Sequence, residues 1–156
     1  MTSKQDFTDE EWTRIRRAPL VAGVAISLAD PGGPIEVARE TVATLRSATL
    51  PPSQEELLAA VALDVQALAQ QRQNPLGDYK PRGGQQVLEE LRGVNELVTA
   101  KATPEEVEAF RRWLVTAAQA AADAAKEGGF LGFGGEQVSA GEQQMLDQVR
   151  AAIGAA

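Results

Sequence analysis

Residues 18–29 read APLVAGVAISLA, an uncharged run that is apolar on every side when wound as a helix. A helix without a polar face has to be covered all round, by lipid or by protein. Spanning a bilayer takes about 20 apolar residues, and this run is too short. A helix over 19–29 is therefore expected at the centre of a bundle, with Pro19 in its first turn. Gly23 and the neighbouring alanines would let other helices cross it closely.

What surrounds that segment also reads as helix. Thr8–Glu11, Ser53–Glu56, Thr103–Glu106 and Ser139–Glu142 each place a hydroxyl three residues before a glutamate. In such a capping box, hydroxyl and carboxylate satisfy backbone N–H groups left over in the first turn. Phe7 with Trp12 and Pro52 with Leu57 would staple two of these starts, and Pro104 suits a first helical position, where no N–H is needed. Apolar residues recur at helical spacing in five stretches. They are Ile35, Ala38, Val42 and Leu45; Leu57, Val61, Val65 and Leu68; Leu91, Val94 and Val98; Val107, Phe110, Leu114, Ala117, Ala121 and Ala125; and Met145, Val149 and Ile153. No stretch alternates with the period of a strand. The chain is expected to be all-α, a single-domain bundle of about six to seven helices around 19–29. Its turn-rich segment 73–84, QNPLGDYKPRGG, would separate halves 1–72 and 84–156.

Composition narrows the chemistry. Net charge is −7, with no run of Lys or Arg, which disfavours nucleic acid as a partner. Cysteine and histidine are both absent, so thiolate and imidazole metal sites, cysteine nucleophiles and histidine triads are excluded. A metal would need oxygen ligands and would be a hard divalent cation. The polar opening MTSKQDFTDEE is unlike a signal peptide, and a cytoplasmic protein is expected. No serine or lysine sits in a recognisable catalytic motif, and the expectation is a protein that is not an enzyme and has no cofactor.

The two halves follow a similar plan. A small-residue helix runs into ADPGGPIEVARE at 29–40, and another into AKEGGFLGFGGEQVSAGE at 125–142, which suggests an internal duplication. This plan resembles the TerB family of tellurite-resistance proteins. Ala29–Asp30 matches the start of that family's Ala-Asp-Gly…Ile/Val-Ser-x-x-Glu stretch, and Val138–Ser139–Ala140–Gly141–Glu142 matches its end. Pro31 intrudes in the first copy, Glu36 replaces its serine, and no aspartate precedes Gly135 in the second. The resemblance implies an all-helical duplicated domain, a stress response and, at Asp30, divalent-cation binding by carboxylate.

Two stretches are candidate sites. GGFLGFGG at 128–135 fits neither phosphate-binding glycine motif. It reads as a helix C-cap whose Phe130, Leu131 and Phe133 fold onto the core, or, if those side chains are exposed, as a contact surface for a partner or lipid. Asp30, Glu36 and Glu40, with Glu127 and Glu142 across the duplicated core, are the candidate metal ligands. Glu36 and Glu40 share a helix face. The same residues also suit a turn, at Asp30, and a helix N-terminus, at Glu36. The leading functional expectation is action through protein contacts, within a stress response in a bacterial cell; the alternative is a carboxylate-based cation binder or sensor.

Overall fold

A computed structural model describes residues 2–29, 34–127 and 140–155, the backbone alone for 34–36 and 125–127. After a 3-10 turn at Lys4–Asp6 come six α-helices among the described residues: α1 (Asp9–Ala29), α2 (Pro34–Thr49), α3 (Glu56–Gln70), α4 (Gly84–Lys101), α5 (Pro104–Glu127) and α6 (Ala140–Ile153). They pack as one all-helical bundle with no strand among the described residues. None of these helices is long and apolar enough to cross a membrane.

Two of the four capping boxes form as read. The Glu11 backbone N–H donates to Thr8 Oγ1 at 3.1 Å, and the Thr8 N–H donates to the Glu11 carboxylate at 2.9 Å. Phe7 and Trp12 close the staple, with ring centroids 6.1 Å apart. Thr103 and Glu106 repeat the arrangement at the start of α5, both bonds at 3.2 Å. The Ser53–Glu56 box does not form. Leu57 and Leu58, both fully buried, set where α3 begins; Glu55 becomes the capping residue, and Ser53 Oγ has no hydrogen-bond partner among the described residues. Ser139 lies outside the described residues.

The apolar segment 19–29 does not start a helix of its own. It is the second half of α1, with Pro19 inside a continuous 21-residue helix. An interior proline lacks the N–H that would bond the carbonyl four residues back, at a cost of about 3 kcal/mol. Burial on both sides of it offsets that cost: Trp12, Ile15 and Ala18 before Pro19, and Leu20, Val21, Ala22, Ala25 and Ile26 after it, are buried. The helix nucleated at the Thr8 cap therefore continues through the proline. As its composition requires, α1 packs against all five other α-helices. So does α5, whose Ala117, Ala118, Ala121 and Ala122 are all fully buried. The centre of the bundle is thus a pair of helices.

The expected faces of α3, α4, α5 and α6 are the buried ones: Leu57, Val61 and Val65; Leu91, Val94 and Val98; Val107, Phe110 and Leu114; Met145, Val149 and Ile153. The face expected on α2 is not, for reasons given below. Between α3 and α4, residues 71–83 form a loop in which Asn74 Oδ1 accepts from the Leu76 N–H at 3.0 Å and Gly77 takes a left-handed φ of 62°. The loop is held down by Leu76 and Tyr79, which pack against the core, with the Arg17 guanidinium 4.6 Å from the Tyr79 ring centre. Arg17 and Arg14 both pair with Glu90 of α4.

Two stability tests follow from this packing. Ile26→Asp forces an unpaired charge into a fully buried position and is expected to destabilise by about 3 kcal/mol or more in denaturant unfolding. Wild-type stability would place this part of α1 at a surface. Glu106 supplies the second test. Burial alone would raise its pKa, but hydrogen bonds from Thr2 and Thr103 outweigh burial and hold the carboxyl below the ordinary glutamate value. A depressed folded pKa stabilises the fold above the unfolded pKa, and that stability is lost as pH falls through the folded value. Glu106→Gln is therefore expected to flatten the fall in melting temperature between about pH 5 and pH 3. An unchanged slope would mean that the carboxylate contributes nothing there.

Candidate functional site

Helix α2 is where the apolar pattern and the structure part. Its spacing marks Ile35, Ala38, Val42 and Leu45 as the core face, yet Ala38 is exposed, Val42 is 60% exposed and Leu45 is half-buried. The Ile35 side chain lies outside the described set. Buried instead is the stripe Glu40, Thr44, Ala48, one helical turn apart at each step. The helix is rotated about its axis so that Glu40, Thr44 and Ala48 face inward and Val42 faces solvent; Val37, on the inward side, is exposed in the first turn of the helix.

Close approach accounts for this. A Cβ added to Gly23 of α1 would stand 2.3–2.9 Å from the Thr44 side chain, closer than atoms can pack. The two helices touch where one has no side chain. On the other side, the fully buried Trp113 of α5 donates its indole N–H to the Ser47 carbonyl at 2.8 Å. Gly23 gives the Thr44 side chain its room, and the bond from Trp113 to the Ser47 carbonyl fixes the helix from the other side.

The inward polar groups are satisfied locally. Glu40 is only 2% exposed, and its carboxylate accepts a hydrogen bond from the Ser27 hydroxyl of α1. Thr44 Oγ1 donates to the Glu40 carbonyl at 2.7 Å, one turn back along the helix. A small cleft of about 60 Å³ opens between Gly23, Ser27 and Thr44, with Leu20, Val24, Thr41 and Leu76 completing its wall. Ser27 went unnoticed in the sequence, although it is the one polar side chain in the run 19–29 and so had to find a partner inside the bundle.

The last turn of α1 also meets the start of α6. Gly141, in the first turn of α6, packs so closely on α1 that an added Cβ would stand 3.2 Å from the Ala29 carbonyl oxygen. Glu40 thus enters the bundle at Ser27, near the end of α1, and Glu142, the neighbour of Gly141, is buried in the first turn of α6. Of the other expected ligands, Asp30 lies outside the described residues, and Glu36 and Glu127 sit in helices whose side chains there are not described. Phe130, Leu131 and Phe133, read as a plug or a contact surface, also lie outside the described residues, as do the stretches 30–33 and 128–139 that carry the suggested duplication. Among the described residues, no three acidic side chains converge as a metal would need.

The outward side of α2 forms the other candidate. Among the described residues, the exposed large aliphatic side chains are Leu28, Val37, Val42, Leu50 and Leu63. Four of these five belong to α2, the residue that follows it, and α3. Leu50 and Leu63 are 66% and 63% exposed, about as open as Val42. Between α2 and α3 lies a groove of about 480 Å³, lined by Val42, Leu45 and Thr49 on one wall and Gln66, Ala69 and Gln70 on the other. Leu63 stands one turn before Gln66, and Leu50 follows Thr49.

Gly23→Ala tests the crossing on which this orientation depends. Alanine is the better helix former by about 1 kcal/mol, so a net loss can come only from the clash with Thr44. A loss of about 1–3 kcal/mol is expected in denaturant unfolding, partly recovered by adding Thr44→Ala. A Gly23→Ala protein as stable as wild type, or more stable, would show that the helices do not touch there. No family model, curated protein or solved structure matches this chain, and the geometry of α2 and its neighbours carries the functional reading.

Proposed function

We propose that this is a non-enzymatic helical protein that acts through protein contacts, and that α2 with the adjoining end of α3 is the surface it uses. The observation that carries this reading is the orientation of α2, which buries Glu40 and Thr44 while Val42 on the opposite face stands in water. Exposed apolar residues scattered singly are ordinary, but a group of them beside a groove marks an interaction surface. The bacterial cell and the stress response that we assign as its setting rest on the TerB-like resemblance. A photo-crosslinking amino acid placed at Val42 or Leu63 in cells that make the protein is expected to capture specific protein adducts. The same group at the exposed Glu89 of α4 is expected to capture none. Adducts at Glu89 alone, or at no position, would contradict the proposal.

A second reading is favoured by the buried carboxylate of Glu40 at the Ser27 hydroxyl, near the end of α1. Hard divalent cations take carboxylate oxygens, and Glu40 would serve as one ligand of the cation that the resemblance implies. Calorimetric titration with calcium, magnesium and manganese is expected to give binding heat in the wild-type protein that is lost in Glu40→Gln. Absence of heat for all three ions, or equal heat in both proteins, would remove this reading.

A further inference from the structure

The contact face carries a charge opposite to that of the chain. Overall the protein has 22 acidic and 15 basic residues. Between residues 37 and 74, however, the exposed charged residues are Arg39, Arg46, Arg72 and Glu56, with Glu55 and Asp64 half-buried and Asp64 paired with Lys4. Arg46 lines the groove itself, and Arg72 lies two residues beyond Gln70, which also lines it. Glu56 opens α3, at the end away from the groove residues 66–70. The acid nearest Arg39 in sequence, Glu40, is turned into the bundle. The result is a groove with Arg46 in its wall, and with the exposed Arg39 and Arg72 close to it in the chain, on a protein that is acidic overall.

We infer that the occupant of this groove is an acidic amphipathic helix of another protein, an assignment that rests on the contact reading above. Its apolar stripe would lie along Val42, Leu45 and Ala69, and its carboxylates would meet Arg39, Arg46 and Arg72. A helix suits the site because no strand edge is available among the described residues to pair with an extended peptide, and a groove between two helices accepts the ridge of a third. Arginine matches carboxylate in a planar two-bond geometry, which favours acidic groups on the partner. A second copy of this chain fits poorly. A symmetric pair places the same patch on both sides and so brings the three arginines against themselves. A head-to-tail pair would need another exposed apolar face, and beyond this one the described residues offer only Leu28.

The test uses the full chain and two synthetic helical peptides that share one leucine stripe, one flanked by glutamates and the other by lysines. By fluorescence anisotropy at low salt, the glutamate peptide is expected to bind and the lysine peptide to bind about tenfold more weakly or worse. Arg39→Glu with Arg46→Glu should reverse that order, and Val42→Asp should abolish both. All these positions are exposed, and unchanged circular dichroism would confirm that the variants fold. Equal affinity for both peptides, lost in Val42→Asp but indifferent to the arginines, would overturn the acidic partner and leave the contact face standing. Binding of neither peptide, while Val42 still crosslinks to a protein in cells, would overturn the helical occupant. Binding to phosphatidylserine vesicles in place of the peptide would overturn it in favour of a lipid surface. A concentration-dependent dimer lost in Val42→Asp would do so in favour of self-association.

Discussion

The crossing of α1 and α2 at Gly23 and Thr44 is the contact on which the rest depends. A glycine on one helix and a short β-branched residue on the other bring the two backbones together with almost nothing between them. The alanines of α5 act in the same way on the other side of the core, where Ala117, Ala118, Ala121 and Ala122 are fully buried. Aromatic residues make up only 4% of the chain, and close helix contact through glycine and alanine adds to what its buried leucines, isoleucines and valines contribute. Close contact leaves little freedom in how each helix is rotated. For α2 the stripe of Glu40, Thr44 and Ala48 faces inward, and Val42 opposite it is turned to water.

Two consequences follow from one rotation. Inward, the stripe carries Glu40 to a position with 2% exposure, where it needs the Ser27 hydroxyl. Replacing such a group with an apolar one of similar shape is often neutral or stabilising, so the acid is not explained by stability alone. Outward, the same rotation leaves Val42 uncovered on the rim of the α2–α3 groove. Local rules of this kind are broken most often at sites that serve a function. The buried acid and the exposed Val42 thus belong to one feature of the fold, and the contact and cation readings arise from its two sides.

Much of the architecture was legible because single residues state it. Thr8 with Glu11 and Thr103 with Glu106 fix two helix starts through bonds made within three residues of chain. The faces of α3 to α6 follow from apolar spacing, since leucine, valine and phenylalanine dominate them. Apolar spacing marks the wrong face of α2 because it weighs only hydrophobicity, whereas the orientation is set by the fit of Thr44 on Gly23 and the bond from Trp113 to the Ser47 carbonyl. Those constraints belong to the partner helices and leave no mark in the α2 sequence. Pro19 misled for a similar reason: a local helix break was outweighed by burial on both sides of it. The groove is a tertiary feature, made by residues 42–49 and 66–70 together, so neither segment announces it.

The rotation of α2 can be measured directly, because the chain has no cysteine of its own. Single substitutions Val37→Cys, Val42→Cys, Thr44→Cys and Ala48→Cys can each be labelled in the native protein with a thiol-reactive maleimide and compared with the denatured rate. The account predicts near-denatured rates at positions 37 and 42 and strong protection at 44 and 48. Protection at 42 with rapid labelling at 44 and 48 would show the apolar face turned inward, and the proposed contact surface would not exist.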